Sequence, residues 1–264
     1  MKVGYLGPKA SFSHVAAENV FGDEELIPVG SIMKLFDKVE NCELEKIIVP
    51  IENTSGGSVA VTLDELLEKD FFINGEYFLD INYCFLTNNK EKVNKIYSHP
   101  QGFLQCKKWI KENYSNVELI ECASNSEAAK IAATENQSAL ATKNCSTEYD
   151  LEIASEKVNG NGTHVTRFII VSKNELDSKG KEKTSCFFAL KNKPGALLDS
   201  LLPLKENEIN MTKIESRPSK ESSWEYVFFV ELTANLSEDK LVSALNEIKN
   251  YTANIKLLGS YSKL

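Results

Sequence analysis

Short runs of β-branched and aromatic residues alternate with segments in which apolar side chains recur every three or four positions. Lys2–Leu6, Leu26–Val29 and Lys46–Ile51 predict strands. Phe12, Val15, Ala16, Asn19 and Val20 predict a helix capped by Ser11, and Ile32, Leu35, Phe36 and Val39 a second capped by Ser31. Pro50 cannot donate to a sheet ladder, so the third strand should end close to it. Glu52, Asn53, Thr54, Ser55, Gly56, Gly57 and Ser58 then lead into the helical spacing of Val61, Leu63, Leu66 and Leu67. A polar strand end feeding a helix N-terminus is where small anions bind in open α/β sheets, and it is equally an ordinary capped loop.

Asn74-Gly75 signals a turn, and Glu76 to Thr87 reads as one long strand able to carry the chain from a first lobe into a second. Further strands are expected at Lys95–Tyr97, Val117–Cys122, Ser138–Ala141 and Asp150–Ala154. Helices follow Ser98-His99-Pro100-Gln101-Gly102 and Ser124-Asn125-Ser126. The loop Asn159-Gly160-Asn161-Gly162-Thr163 can return the chain to the first lobe, where Val165–Val171 is a strand. The domains expected are 1–172, with lobe one at about 1–76 and 160–172 and lobe two at about 77–159; a charged linker at 173–183; and 184–264. The last segment spells strand, helix, strand, strand, helix, strand, the ferredoxin-like βαββαβ order.

A formal charge of −8 gives neither nucleic acid nor an anionic membrane a basic face to bind. No apolar run is long enough to span a bilayer. Six cysteines without a C-x-x-C pair read as reduced thiols, and the expected location is cytoplasmic. His14, His99 and His164 stand at no metal-ligand spacing, so no metal is expected.

Gly7-Pro8-Lys9-Ala10-Ser11-Phe12-Ser13, Pro50-Ile51-Glu52-Asn53-Thr54, Ser98-His99-Pro100-Gln101 with Gln105-Cys106, and Thr166-Arg167-Phe168 resemble, in order and spacing, the motifs of prephenate dehydratases. The final domain resembles their regulatory ACT domain. Gly195-Ala196-Leu197-Leu198 and Glu215-Ser216-Arg217-Pro218 there match the two phenylalanine-binding motifs. No chorismate mutase region precedes Val3, so the resemblance is to the monofunctional form. It implies an α/β fold: a two-lobed catalytic domain like a type II periplasmic binding protein, plus the ferredoxin-like ACT domain. Three positions depart from the pattern. Ala10 stands for the usual Gly, Asn125 for a common Thr, and His164 for the Asn two residues before Thr166.

The resemblance implies decarboxylative dehydration of prephenate, with no cofactor and with feedback inhibition by L-phenylalanine. Loss of CO2 and hydroxide is driven by aromatisation, so the protein must hold two carboxylates and assist the leaving hydroxyl. Thr166 is the expected donor or relay and Glu52 the candidate acid if burial raises its pKa, with a loop-holding role the alternative. Asn53 and Gln101 complete the catalytic set. Ser11, Ser13, Thr54, Ser98, His99, His164, Arg167 and Phe168 form the substrate-binding set, in which the helix N-termini at Ser11 and Thr54 receive carboxylate charge and His99 orders a turn. A phenylalanine site shared between ACT domains implies a homodimer or homotetramer. Arogenate dehydratase and a non-catalytic two-lobed anion sensor are the competing readings; His164 is the one feature favouring the sensor, and the retention of Thr166, Glu52 and Gln101 argues against it.

Overall fold

The computed structural model describes residues 1–160, 162, 164–191, 193–218 and 226–264. In chain order come β1 (Lys2–Leu6), α1 (Phe12–Phe21), β2 (Glu25–Val29), α2 (Ile32–Glu40), β3 (Lys46–Asn53), β4 (Gly57–Ser58), α3 (Ala60–Glu68) and β5 (Phe72–Asp80). Next are β6 (Cys84–Thr87), β7 (Lys95–Ser98), α4 (Pro100–Asn113), β8 (Glu118–Glu121), α5 (Asn125–Glu135), β9 (Ser138–Ala141), α6 (Asn144–Tyr149), β10 (Ile153–Ser155) and β11 (Val165–Ser172). The chain ends with β12 (Lys183–Leu190), α7 (Ala196–Glu206), β13 (Met211–Pro218), β14 (Tyr226–Leu232), α8 (Asp239–Ile248) and β15 (Thr252–Tyr261).

These strands build three sheets, ordered β2-β1-β3-β11-β5, β10-β6-β9-β7-β8 and β13-β14-β12-β15, with β4 paired to β3. The first two are the α/β sheets of a two-lobed fold, and the chain crosses between them after β5 and after β10. The third, antiparallel throughout, has the ferredoxin-like order. Ile47, Ile48 and Val49 of β3 are fully buried, which at about 2 kcal/mol each explains why this strand is central. In the second sheet, Leu86, Tyr97, Ala139 and Ala141 pack on Ala128, Ala129 and Ala132 of α5, whose small side chains let helix and sheet approach closely.

By packing, the chain divides into two compact units, residues 1–59 with 78–168 and residues 60–77 with 169–264. Helix α3 and most of β5 thus belong with the C-terminal sheet. Two local expectations fail in this region. Asn74-Gly75 lies inside β5 rather than in a turn. The Asn74 amide donates to the Asn174 carbonyl and accepts from the Ser172 hydroxyl, so tertiary partners replace the local hydrogen bonds of a turn. The long strand expected over 76–87 is broken at Ile81–Tyr83, where the Asn159 side chain accepts from Tyr83 N–H and donates to the Ile81 carbonyl. Of the return loop 159–163, Asn161 and Thr163 lie outside the described residues.

Candidate active site

β3 continues to Asn53, three residues past Pro50, because its pairing with β1 stops at Ile48 and Pro50 breaks no ladder bond on that side. The polar cluster then folds as a hairpin, with Glu52 opposite Ser58 and Asn53 opposite Gly57. Gly57 takes φ +73°, and Asn53 Oδ1 accepts from the backbone N–H of Ser55 at 2.8 Å and of Gly56 at 3.3 Å. Helix α3 starts only at Ala60, so Thr54 is a turn residue and not a helix N-terminus, which corrects that expectation. Its hydroxyl accepts from Val165 N–H while its own N–H donates to the Val165 carbonyl, fastening the turn to the start of β11.

This fastening brings Asn53 to Thr166. Asn53 Nδ2 donates to Thr166 Oγ1 at 2.6 Å. The Asn53 carbonyl is already committed to Ser55 and Gly56, so its NH2 must face Thr166, and Thr166 must accept there. The Thr166 hydrogen is left without an acceptor among the described residues, and the side chain is 8% exposed. The result is a nearly buried hydroxyl held as a donor.

Glu52 Oε2 lies 3.6 Å from Arg167 Nη1, with the glutamate side chain 40% exposed and the arginine 7%. Glu52 is thus partly open and sits beside the Arg167 guanidinium. Arg167 also lies over the Phe78 ring, 5.8 Å from its centroid. Phe168 is 1% exposed, a core side chain without accessible surface. His164 precedes β11, its carbonyl accepting from Ile81 N–H at 2.7 Å.

β7 and α4 contribute the second wall. Ser98 is fully buried, its hydroxyl within reach of both Asn125 Oδ1 and the Leu140 carbonyl at 3.1 Å. His99 caps α4 through Nδ1, which accepts from Gln101 N–H, and Asn125 Oδ1 accepts from His99 N–H. Burial pushes the His99 pKa down, against a smaller opposing effect of Glu121. A Cβ at Gly102 would sit 2.2 Å from Ser98 Oγ, so the helix can start this close to β7 only without a side chain there.

Gln101 Nε2 is buried without a partner among the described residues. One helical turn on, Gln105 Nε2 donates to Ser55 Oγ at 3.2 Å, while its Oε1 is buried and also lacks a described partner. Gln105 was not among the residues expected at the site. Its spacing of four from Gln101, which puts both on one helix face, was the available signal. Ser11 caps α1 by accepting from His14 N–H and donates to the Leu6 carbonyl, and Ser13 is 8% exposed. Among the described residues, no three His, Cys, Asp or Glu side chains converge so as to hold a metal ion.

In the other unit, Gly195 takes φ +79° as it opens α7. Ala196 is buried, while Leu198 is 66% exposed. Leu197 packs on the sheet face formed by Cys186, Phe188 and Val230. On β13, Glu215 pairs with Phe229 and Ser216 with Phe228, which point to opposite faces. The second motif therefore straddles the sheet. Ser216 and Pro218 share the helix-bearing face with Leu197, whereas Glu215 and Arg217 are on the other. There Arg217 Nε and Nη2 lie 3.1 and 2.7 Å from Asp64 Oδ1 on α3. Lys256 of β15 donates to the Leu67 and Lys69 carbonyls at the end of the same helix.

A family model described as prephenate dehydratase matches residues 3–176. The chain belongs to that family. An ACT domain model matches residues 184–250. A bifunctional chorismate mutase/prephenate dehydratase of Aquifex aeolicus is 40% identical over 267 residues, covering 100% of this chain and 74% of that protein. The prephenate dehydratase of Methanocaldococcus jannaschii is 36% identical over 268 residues, covering 97% of this chain and 96% of that one. A prephenate dehydratase from Arthrobacter aurescens, solved in complex with L-Phe, superposes with a TM-score of 0.91 at 25% identity. That match covers 100% of this chain and 90% of the other.

Proposed function

We propose that this chain converts prephenate to phenylpyruvate, CO2 and water, using the donor hydroxyl of Thr166, and that L-phenylalanine restrains it through the C-terminal domain. The reading rests on one observation: Asn53, with its carbonyl anchored, leaves the Thr166 hydrogen to give away. As the C–O bond to the ring hydroxyl lengthens, negative charge develops on the leaving oxygen. A preorganised donor stabilises that charge more than it stabilises bound substrate. The carboxylate on the quaternary carbon departs as CO2, its bonding electrons completing the aromatic ring, and one proton converts the hydroxide to water. A threonine hydroxyl is too weak an acid to be the ultimate source of that proton.

Gln101 Nε2 and Gln105 Oε1, a buried donor and a buried acceptor, gain from a ligand the partners they lack in the chain. Arg167 takes a carboxylate and Glu52 holds Arg167, the role that its exposure favours over acid catalysis. Ser98, His99 and Ser11 act as supports, since the Ser98 and Ser11 hydroxyls and His99 Nδ1 are engaged within the protein. Ser13, Thr54, His164 and Phe168 complete the shell around them. In the C-terminal domain, Gly195–Leu198 with Glu215–Pro218 forms the phenylalanine site, shared between copies in a homodimer or homotetramer. Support for that assembly comes from β13 at the sheet edge, with Ile214 40% and Leu198 66% exposed. Six free thiols, four of them buried, support a cytoplasmic setting.

The test is phenylpyruvate formation from prephenate, and from arogenate in parallel, with and without phenylalanine. Turnover of prephenate that phenylalanine suppresses, and that Thr166→Ala removes, is the expected result. Binding of prephenate without turnover overturns the reading.

A further inference from the structure

The loop between β1 and α1 is held by side-chain hydrogen bonds at Lys9 and Ala10. Ser126 Oγ donates to the Lys9 carbonyl, and Thr142 Oγ1 donates to the Ala10 carbonyl at 2.6 Å, with Cys145 Sγ at 3.3 Å. These three residues come from α5 and from the segment opening α6, so the loop that leaves the first sheet is fastened to elements packed around the second. The remaining polar group of Ala10, its N–H, donates to His14 Nδ1 at 3.2 Å. Ala10 holds φ +61°, in the left-handed region that a residue with a Cβ disfavours, so these bonds keep a conformation that the backbone alone would leave.

The His14 bond exists in only one protonation state. Nδ1 accepts only while it carries a lone pair, so the ring is the neutral Nε2–H tautomer. A second proton would put two N–H donors face to face. The side chain is 8% exposed, and its ring packs on Tyr5 of β1 with centroids 4.8 Å apart. The charged groups around it are Glu18 of α1, whose Oε1 is 3.6 Å from Nε2, Lys9 of the loop, and Glu148 of α6, which pairs with Lys9 at 2.8 Å. Tyr149 of α6 borders the same loop through Ser126. A pocket of about 440 Å³ whose lining includes Lys9, Ala10, His14, Glu18, Lys143 and Glu148 gives solvent protons access to the ring. Burial pushes the His14 pKa below its ordinary value, against the pull of Glu18.

We propose that His14 is a positioning residue of the dehydratase: its neutral imidazole pins the Ala10 peptide, the joint between the two sheets' elements, and protonation releases that joint and slows turnover. The inference rests on the dehydratase reading only for its kinetic consequence, because the pin itself is a hydrogen bond observable without substrate.

The experiment pairs two readouts on the full chain. With selective 15N labelling of alanine and histidine, the Ala10 amide should titrate with the same midpoint as His14, and this titration should vanish in His14→Asn, whose Oδ1 can accept at any pH. In the kinetic arm, the acid-side fall of kcat should flatten in His14→Asn, with kcat above neutrality within about threefold of the parent. His14→Ala, which removes the acceptor, should lose about five- to tenfold in kcat across the range. An Ala10 amide indifferent to His14 overturns the proposal. So does an unchanged acid limb in a well-folded His14→Asn. If the amide follows His14 but no variant, nor the parent, turns over prephenate, the pin stands and the dehydratase reading fails.

Discussion

Asn53 and Thr166, distant in sequence, meet at 2.6 Å with the amide as donor and the hydroxyl as acceptor. Asn53→Asp tests this direction. A carboxylate at that place would accept from Thr166 and consume the hydrogen that the proposed mechanism gives to the leaving oxygen. Turnover should fall by about two to three orders of magnitude, the range for losing one transition-state donor. Thr166→Ser should retain far more activity than Thr166→Ala. Steady-state kinetics and a thermal melt separate this effect from misfolding.

Gln105→Leu removes the buried acceptor and the donor to Ser55 together. Its expected signature is a raised KM for prephenate with a smaller loss of kcat, because on the proposed reading Oε1 meets substrate while Nε2 holds the turn at Ser55. Gln105→Glu keeps an acceptor and should retain more affinity than the leucine variant.

Arg217 belongs to the second motif proposed for the effector, yet its guanidinium is bound to Asp64 of α3. Asp64→Asn should leave turnover without phenylalanine near the parent value and weaken inhibition by about tenfold, the scale of a modest coupling energy. Calorimetry of phenylalanine binding completes the test. Inhibition unchanged in a variant that still binds phenylalanine would show that the ion pair carries no coupling.

His14 and His99 both have pKa values lowered from 6.5 by burial, and both use Nδ1 as an acceptor in the fold. Below that value the unfolded chain binds protons that the folded chain refuses. Their contribution to stability is therefore complete above 6.5 and declines as pH falls through the window down to the folded-state values. Urea unfolding should show a lower midpoint at about pH 5 than at about pH 7, with a smaller drop in the His14→Asn, His99→Asn double variant.

Ala10→Gly sets two effects against each other. Relief of the left-handed backbone favours glycine by about 1 kcal/mol, while the Ala10 methyl, 2% exposed and packed among core residues of the second sheet, contributes about 0.8 kcal/mol by its burial. The expected stability change is within about 0.5 kcal/mol of zero. Chemical denaturation of the two proteins checks it.

Strand and helix positions were largely legible, because apolar spacing and serine caps act locally: Ser11, Ser31 and Ser124 all cap as their sequence context suggested. What sequence could not supply were outcomes set by distant partners. The Asn74-Gly75 signal yields to Ser172 and Asn174, and the polar run after Asn53 becomes a hairpin because its hydrogen bonds go to Val165. At the candidate site, Asn53 and Thr166 could be named from their motifs, but the direction of their bond needed the Asn53 carbonyl to be placed. For Gln105 the spacing of four from Gln101 places both on one helix face, but which way that face turns is set by the packing that buries Gln105 Oε1. The split of Glu215 and Arg217 from Ser216 and Pro218 follows from strand alternation, but which face meets α3 does not.

Lys183, whose Nζ lies 2.9 Å from both carboxylate oxygens of Glu76 and 3.6 Å from Glu231, ties β5 to the C-terminal sheet in the same unit where Arg217 and Lys256 hold α3. The C-terminal domain is thus no detachable cassette. Cutting the gene in the 173–183 segment, or grafting this domain onto a foreign enzyme, would take Arg217 from Asp64 and Lys183 from Glu76. Transplantation therefore requires carrying residues 60–77, that helix and strand, along with the domain.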